Sequence, residues 1–407
     1  MKPRPDLIDE RSPKGLEVYQ LTTEDIPSSH VYMEAQIFTL DSKRFLLHRS
    51  AHAHGSDKND PKHRYLRCDI DDNCSLHPLT DEVGATAPSV TPDGKYVYYF
   101  VDETEPGGGK LTLKRVGIDG SDRRTLMVID SNIPGTKFRP SQIYPISSIS
   151  SDGKRLALPA FLGDGKKKRA PFGLMVFDVE KINVWIPLKG TSWCNIHPQY
   201  SRSLDKGTSH DVLVQENHGG VYDASGEITT LVGGKGADIH VIRDDGTNFL
   251  TMPWGRDGKE FCQGHQCWRG RSEIAITSTY GTAGNSPQTL VEGKAVADKK
   301  HIGLKTPGGW RNEISRNFTN PQFCHFGTDI EGRLLVSDWC REGRGELYIA
   351  ELPKGDEPAG KFTYLLDTHT KNTKGTHIHP FLSPDGKTAF FNSDESGILQ
   401  TYMVRGW

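Results

Sequence analysis

The chain has 407 residues, of which 35% are hydrophobic and 25% are charged, with 50 Lys and Arg against 52 Asp and Glu. This near balance of charge offers no basic surface, so we expect no nucleic-acid partner. No run of 18 apolar residues occurs, so we expect no membrane-spanning helix and no membrane partner. The 43 Gly and 24 Pro favour many short strands and turns over long helices.

A turn followed by a β-rich run recurs along the chain at intervals of roughly 50 to 65 residues. The seven copies, two of them looser in sequence than the rest, are Leu40–Leu47, Pro92–Tyr99, Ser151–Leu158, the segments near Asp205 and Arg271, Glu331–Val336 and the segment from Asp385. Outer hairpins fit the same frame: in one, His240–Arg243 leads to a turn at Asp245 and Gly246. A period of this length suits one four-stranded propeller blade with its loops.

The sequence therefore predicts an all-β fold, a seven-bladed β-propeller formed by residues 1–407 as a single domain. Residues 1–14 are an N-terminal extension, and the blades start near residues 35, 87, 146, 197, 265, 325 and 379. We expect the ring to close by pairing Gly15–Leu21 with the last strand, Gln400–Val404, because joining both termini leaves no sheet edge exposed. We also expect a monomer.

Histidines recur where the first strand of a blade would line the central channel. The later blades contribute a set of five imidazoles, namely His197, His265, His325, His377 and His379. His377 and His379 share one face because side chains alternate along a strand. The earlier blades carry Ala35, Ala87 and Ile146 at the corresponding place, so the predicted site is one-sided. A channel histidine can also be a hydrogen-bonded wall residue, and this alternative remains open.

Such a cluster can hold a metal, carry out acid–base chemistry, or divide the two tasks. His325, His377 and His379 would supply three nitrogen ligands and leave open positions, which is typical of a catalytic metal site. His265, one blade away, would then remain as a base. The sequence has no Gly-x-Ser-x-Gly, no P-loop and no clear dinucleotide fingerprint, so we expect no organic cofactor.

At these residues the chain resembles the seven-bladed β-propeller polysaccharide lyases, typified by oligogalacturonide lyase. The motifs that carry the resemblance are Gly264–Trp268, Cys324–Phe326 and Thr376–Pro380. The resemblance implies that the base is His265. It also implies that His325, His377 and His379 bind a divalent cation, Mn²⁺ in the family, with Ca²⁺ as the alternative.

The chain departs from the family at two positions. Lys374 replaces a glutamine metal ligand, and Asp238 replaces an arginine near the substrate. We therefore expect a shifted substrate, the L-rhamnose-α-1,4-D-glucuronate ends of plant gum or arabinogalactan, cleaved at C4 of the uronate. The alternative is a lyase of oligogalacturonate from pectin. In both cases the partner is a uronate-containing oligosaccharide or polysaccharide.

β-Elimination requires loss of the C5 proton, and the adjacent carboxylate must be neutralised for the enolate-like intermediate to form. A cation would do so, assisted by Lys374. Protonation of the leaving group needs a further acid, for which His197, His218 and Tyr144 are candidates that the sequence does not rank. Candidates for bidentate binding of uronate carboxylates, each of which could instead be a surface residue, are Arg269, Arg271 and Arg311.

Two other functions fit the same fold. A propeller can be a non-catalytic binding platform, because fold alone does not fix function. A glycoside hydrolase with two carboxylates fits less well, since the identified channel positions are imidazoles. Chelator treatment separates the first alternative from a metal-dependent lyase.

The seven cysteines bear on the compartment. Cys68 with Cys74, and Cys324 with Cys340, could each face across two antiparallel strands, a placement that suits a disulfide. Glycosylation sequons start at Asn73 and Asn317. These features favour a secreted protein. The start of the chain lacks the apolar core of a signal peptide, so a cytoplasmic protein is the alternative.

Overall fold

The structure is a computed structural model. It describes residues 1–52, 55–163, 171–222, 228–230, 236–254, 260–281, 288–297, 308–341, 343–355, 357–358, 360–373 and 375–407. Within these residues the chain forms 34 β-strands, one 3-10 helix, Pro5–Leu7, and no α-helix. The helical structure seen in this part of the chain is too short to cross a membrane. The prediction of an all-β fold is confirmed.

The recurring turn is built from a short polar motif. The Thr91 hydroxyl donates a hydrogen bond to Asp93 Oδ1 at 2.6 Å, and the Lys95 N–H donates to the same oxygen at 3.1 Å. Gly94 has a φ of 69°, a left-handed value that glycine adopts without steric cost. The same hydroxyl–carboxylate pair recurs at Thr39 and Asp41, at Ser150 and Asp152, and at Ser383 and Asp385. The sequence repeat thus corresponds to one repeated turn.

The first strands of the chain form part of the terminal sheet and one complete sheet. They are β1 (Lys2–Pro3), β2 (Glu17–Gln20), β3 (Ser28–His30), β4 (Arg44–Arg49), β5 (Ala51–His52), β6 (Gly55–Ser56), β7 (Tyr65–Asp69) and β8 (Ser75–Pro78). The order in the complete sheet is β3-β4-β7-β8, and β5 pairs with β6 separately.

The next two sheets follow the chain strand by strand. Their strands are β9 (Ala85–Val90), β10 (Tyr96–Glu105), β11 (Gly108–Gly117), β12 (Arg124–Ile129), β13 (Arg139–Ile143), β14 (Ser148–Ile149), β15 (Arg155–Gly163), β16 (Phe172–Asp178) and β17 (Asn183–Gly190). One sheet has the order β12-β11-β10-β9, and the other has the order β13-β15-β16-β17 with β14 also paired to β15.

An eight-stranded sheet comes next. Its strands are β18 (Gln199–Tyr200), β19 (Asp211–Asn217), β22 (Ala237–Arg243), β23 (Leu250–Thr251), β24 (Glu260–Trp268), β25 (Ile274–Gly281), β26 (Gln288–Lys294) and β27 (Arg311–Glu313). Two further strands, β20 (Val221–Tyr222) and β21 (Ile228–Thr230), pair only with each other. Its two halves are joined through one paired position, Ala237 with Cys262.

The last strands complete one further sheet and the terminal sheet. They are β28 (Phe323–Thr328), β29 (Leu334–Arg341), β30 (Arg344–Glu351), β31 (Phe362–Asp367), β32 (Phe381–Leu382), β33 (Thr388–Ser393) and β34 (Gln400–Arg405). The first four form a sheet in sequence order, and the terminal sheet has the order β1-β2-β34-β33-β32.

The terminal sheet joins the two ends of the chain. Val18 of β2 pairs with Val404 of β34, and Arg405 forms an ion pair with Glu17 at 2.6 Å. The predicted pairing of the first segment with the last strand is confirmed. Antiparallel pairing at this position covers the backbone donors and acceptors that a sheet edge would otherwise expose.

The core lies between neighbouring sheets. Phe45 of β4 packs against Phe390 of β33 with ring centroids 4.6 Å apart, and Phe390 stacks on Phe381 at 5.0 Å. Phe45 and Phe390 are fully buried. Each such ring contributes roughly 1.5–3 kcal/mol by leaving water. This packing holds β32, the strand that follows His377 and His379, against the neighbouring sheet.

Candidate metal centre and active site

The candidate site forms where the first strand of a sheet departs from regular pairing. The pairing of β24 with β25 is interrupted around His265, and that of β28 with β29 around His325. A β-bulge bends its strand and re-aims a side chain. His197 and His379 lie just before β18 and β32 with φ values of 49° and 46°, in the left-handed region. Irregular backbone at four histidines thus turns their rings away from the regular sheet faces.

Three of these imidazoles converge. One nitrogen from each of His325, His377 and His379 lies within 4.8 Å of the other two. The ring centroids of His325 and His379 are 4.3 Å apart, and that of His377 lies 5.3 Å from His325 and 5.4 Å from His379. His325 and His379 are buried, whereas His377 is half-buried. The predicted trio is therefore brought together from two neighbouring sheets.

Asp338 of β29 orients His325. Its Oδ2 lies 2.6 Å from His325 Nδ1, and its Oδ1 accepts the His325 backbone N–H at 2.8 Å. A carboxylate on one ring nitrogen of a metal ligand fixes the tautomer and turns the other nitrogen toward the ion. Burial lowers the pKa of His325, but the charge and hydrogen bond of Asp338, together with smaller contributions from Cys324 and Glu34, make the net shift upward.

The residues of the trio fit a divalent cation. Ligand atoms around one ion at about 2.0–2.2 Å are separated by roughly 3–4.4 Å, close to the spacing of these nitrogens. Burial, followed by the neighbouring His325, lowers the pKa of His377 to about 4, so this ring is neutral at pH 7 and able to ligate. Lys374, which replaces the glutamine of the family motif, lies outside the described residues.

His265 lies beside the trio. Its ring centroid is 4.5 Å from that of His325 and 6.2 Å from that of His197. Its backbone carbonyl accepts a hydrogen bond from the Thr277 hydroxyl at 2.5 Å, which anchors the bulge to β25. A half-buried imidazole next to a metal-ligand set can exchange a proton with a molecule in the adjoining cavity.

His197 is held by a buried carboxylate. Its Nδ1 lies 2.6 Å from Glu34 Oε2, and the ring of Tyr32 lies 5.6 Å from His197 and 4.7 Å from His379. Burial raises the pKa of Glu34, an effect that His197 partly offsets. Burial also raises the pKa of Tyr32 well above its usual value. This carboxylate and phenol link the imidazoles on the two sides of the cluster.

A cavity of about 380 Å³ opens beside His265 and His197. Its lining is largely apolar. The lining residues with polar side chains include the three predicted catalytic residues and are Tyr32, His48, Tyr65, Tyr144, Asn195, His197, Gln215, Gln263 and His265. Tyr144 stacks on Phe161 at 5.4 Å, and its hydroxyl oxygen accepts the Asn195 N–H at 3.2 Å. The structure therefore brings Tyr144, His197 and His265 to one cavity.

The predicted carboxylate-binding arginines do not line this cavity. Arg269 bonds Glu292 at 2.7 Å, and Arg311 forms a two-pronged ion pair with Glu260 at 2.7 and 2.8 Å. Arg271 borders a different cavity, of about 110 Å³, that is lined by residues such as Met33 and Leu382. These three guanidinium groups therefore lie away from the cavity that His265 borders: two are paired with carboxylates of the protein, and that of Arg271 borders the other cavity.

His218, predicted to act near the substrate, also lies away from the cavity lining. Its Nε2 is 3.1 Å from Asp238 Oδ2 and 3.7 Å from Glu216 Oε2.

The two cysteine pairs noted in the sequence do lie together in the structure. Cys68 contacts Cys74, and Cys324 contacts Cys340, in each case as free thiols.

Sequence inspection missed Asp338, Glu34 and Tyr32. Asp338 was detectable as a lone acid within the apolar strand β29, and Glu34 as a carboxylate one residue before a predicted channel position. A buried acid needs a partner, so each of the two carboxylates pointed to a nearby histidine. Tyr32 gave no such signal.

Comparison with known proteins agrees with this architecture. No family model matches the chain, and no curated protein matches it. Among solved structures, an oligogalacturonate lyase in complex with manganese matches with a TM-score of 0.66 and 18% identity, over 98% of this chain and 95% of that one. The oligogalacturonate lyase of Vibrio parahaemolyticus matches with a TM-score of 0.68 and 18% identity, over 98% and 96%.

A third match is the β-propeller domain of the Trilobed protease from Pyrococcus furiosus, with a TM-score of 0.51 and 13% identity over 93% of this chain and 96% of that one. Together these likenesses show a β-propeller fold of the kind found in oligogalacturonate lyase. The resemblance in fold noted from the sequence is confirmed.

Proposed function

We propose that this protein is a lyase that cleaves oligogalacturonate by β-elimination at C4 of the uronate. One observation carries the proposal: nitrogens of His325, His377 and His379 lie within 4.8 Å of one another, and the His265 ring lies 4.5 Å from that of His325. A cation site and, next to it, a separate base that borders a cavity are the two elements that this reaction requires.

The trio would hold the divalent cation, which we propose to be Mn²⁺. When bound, this ion would act as a Lewis acid that neutralises the uronate carboxylate. Asp338 keeps the His325 ring in the ligating orientation through its 2.6 Å contact. The left-handed backbone at His379 positions the third imidazole opposite His325.

His265 is assigned as the base. It borders the cavity and lies one sheet away from His325 and two sheets away from His377 and His379, so it can transfer a proton while those three rings bind the cation. A positioned imidazole contributes about 10²–10⁴-fold to such a step. The neutral ring takes the C5 proton of the uronate and becomes the imidazolium.

Protonation of the leaving oxygen is assigned to other residues of the cavity lining. His197 and Tyr144 both border it, and the 2.6 Å contact with Glu34 fixes the orientation of the His197 ring. Of the candidates named from the sequence, His218 is set aside, since it is engaged by Asp238.

Oligogalacturonate is preferred over a rhamnose-capped glucuronate. The two full-length structural matches are both oligogalacturonate lyases, which supports the galacturonate substrate over the one favoured from the sequence departures. In the described residues no Arg or Lys borders the cavity, so we assign the main interaction with the substrate carboxylates to the proposed cation.

The strands are assigned to seven blades of a single propeller domain. The strand order supports this count: the eight-stranded sheet has two halves joined at one position, and each of the other five large sheets has an antiparallel core of four strands. In the terminal sheet the fourth strand is β2, supplied by the other end of the chain. The blades that contribute His265, His325 and His379 are consecutive.

The proposal is tested by incubating the purified protein with oligogalacturonate and following the absorbance of the unsaturated uronide. We expect absorbance to rise with oligogalacturonate and Mn²⁺, to stop after chelator treatment, and to remain lower with a rhamnose-capped glucuronate. Faster product formation from the second substrate would overturn the substrate assignment. Absence of unsaturated product from both substrates would overturn the lyase, and retained carbohydrate binding without turnover would instead support a binding platform.

A further inference from the structure

A second cluster of metal-ligand side chains lies on β19, β22 and the turn after β19. Glu216, His218 and Asp238 each offer one ligand atom, and these atoms lie within 4.8 Å of one another. Nε2 of His240 lies 3.2 Å from Glu216 Oε2 and 4.0 Å from Asp238 Oδ2. Two imidazoles and two carboxylates therefore meet in one place.

Strand register explains this meeting. Glu216 is paired directly with Asp238 across β19 and β22, so their side chains share one face of the sheet. His240 lies two residues after Asp238 and shares that face. Gln215, the neighbour of Glu216 on the strand, borders the cavity of the proposed active site. β19 therefore presents the cavity on one face and the four-residue cluster on the other.

The spacing suits a four-coordinate ion. The nitrogen–oxygen separations are 3.1 Å for His218 with Asp238, 3.7 Å for His218 with Glu216, and 3.2 and 4.0 Å for His240 with the two acids. A tetrahedral Zn²⁺ site with bonds of about 2.0–2.1 Å has ligand–ligand separations of about 3.3–3.4 Å. These four separations lie within about 0.7 Å of that value.

Neighbouring hydroxyls orient two of the four side chains. The Ser192 hydroxyl donates to Glu216 Oε1 at 2.6 Å, and Thr251 Oγ1 lies 3.1 Å from His240 Nδ1. The other carboxylate oxygen and the other ring nitrogen are the atoms that face the cluster. Contacts of this kind to the second atom of a ligand are a regular feature of metal sites, because they fix the ring tautomer and the carboxylate rotamer.

Burial and charge point in the same direction. The side chains of His240, Asp238 and Glu216 are 0%, 4% and 11% exposed, and that of His218 is 15% exposed. A dication would interact favourably with the two carboxylates, and the partly exposed edge at His218 provides a route for its entry.

We propose that Glu216, His218, Asp238 and His240 bind one Zn²⁺ ion in a structural site. Four protein ligands close the coordination sphere, as in structural rather than catalytic zinc sites. The ion would tie the turn that carries His218 to β22. This site is separate from His325, His377 and His379, and it does not depend on the proposed lyase activity.

The test uses the full chain with the first site removed by His377→Ala and His379→Ala. After chelation and dialysis, the protein is equilibrated with Zn²⁺, and bound metal is measured by elemental analysis. We expect one Zn²⁺ per chain and a higher Tm with the metal. Adding His218→Ala should reduce bound Zn²⁺ to none and abolish the Tm increase. Asp238→Asn, which preserves side-chain shape, provides a second variant should His218→Ala fail to fold.

His210→Ala is the matched control. His210 also contacts two carboxylates, but its Nδ1 faces Asp244 at 2.8 Å and its Nε2 faces Asp152 at 3.0 Å, so the two acids cannot share an ion with one ring nitrogen. We expect this variant to retain one Zn²⁺ per chain. Substitution with Co²⁺ identifies the ligands, since nitrogen and oxygen ligands give visible bands without the near-ultraviolet absorption of thiolate ligands.

Three results would overturn the site. They are no Zn²⁺ bound in the background variant, one Zn²⁺ retained after both His218→Ala and Asp238→Asn, and thiolate absorption in the Co²⁺ form. The last would assign the ion to cysteines such as Cys324 and Cys340. Loss of lyase activity alone would not affect the conclusion, because the readout is the metal itself.

Discussion

Ala87 and His379 occupy the same position in two different sheets. Each lies six residues before the aspartate of the repeated turn, Asp93 in one case and Asp385 in the other. Each has a left-handed backbone, with φ of 49° at Ala87 and 46° at His379, and each is fully buried. One side chain is a methyl group within a hydrophobic cluster, and the other is an imidazole in the candidate metal site.

The comparison separates what the fold requires from what the site requires. A non-glycine residue in the left-handed region costs about 1–2 kcal/mol. Because the strained conformation also occurs at Ala87, where no ligand group exists, it does not depend on a metal-ligand side chain. The chemistry is then decided by which side chain occupies that position. Ala35 and Ile146 are likewise buried and apolar, so the site is confined to one side.

The largest effect is expected on the base. His265→Ala should reduce the rate of unsaturated-uronide formation from oligogalacturonate by about 10²–10⁴-fold, because no other group would take the C5 proton at that position. Bound Mn²⁺ should be unchanged, since His265 is not a ligand. His210→Ala, far from the cavity, is the control and should retain the wild-type rate. An active His265→Ala enzyme would show that the base is a different residue.

The second largest effect is expected at His379, the position equivalent to Ala87. His379→Gly removes an imidazole while making the backbone easier to form, so the protein should fold but lose Mn²⁺ affinity. The measurement is the Mn²⁺ dissociation constant by calorimetry, alongside the Tm. We expect a loss of more than about 100-fold, beyond the range for a residue that only orients a ligand. Unchanged Mn²⁺ binding would remove His379 from the site.

Asp338→Asn should have a smaller effect. The amide cannot supply the carboxylate charge at His325 Nδ1, so Mn²⁺ affinity should fall by about 10- to 100-fold. Because the ligands themselves remain, excess Mn²⁺ should restore most of the activity. Titration of the reaction rate with Mn²⁺ measures this shift. If excess Mn²⁺ fails to restore the rate, Asp338 takes part in the reaction in some other way.

The smallest effect is expected at Ala87. Ala87→Gly relieves the left-handed strain but removes a buried methyl group worth about 0.8 kcal/mol and adds freedom to the unfolded chain. These contributions nearly cancel, so the free energy of unfolding should change by less than about 1 kcal/mol. Denaturant unfolding measures it, and activity and metal binding should be unaltered. Altered Mn²⁺ affinity in this variant would break the comparison with His379.

Much of the fold could be predicted because it rests on local chemistry. The Asp-Gly turn at Asp93 and Gly94 is specified by adjacent residues, and its repetition revealed the sheet units. The pairing of β2 with β34 followed from the need to cover sheet edges. The histidine trio was found for a similar reason, since position before the turn fixes which residues face inward.

The remaining parts of the site could not be predicted because they depend on partners far apart in sequence. Arg311 was a plausible carboxylate binder until the structure paired it with Glu260. Glu34 supports His197 across 163 positions of sequence. Local sequence patterns indicate which side chains face inward, but they do not indicate which charged side chains are already paired with an opposite charge. This explains why the convergence of the imidazoles could be predicted, whereas the ion pairs of the arginines could not.

The most direct test of the proposed site is the rate of unsaturated-uronide formation by the chelator-treated protein before and after addition of Mn²⁺. The convergence of His325, His377 and His379 beside His265 predicts a rate near zero without metal and full recovery when Mn²⁺ is returned. An undiminished rate in the metal-free protein would contradict it.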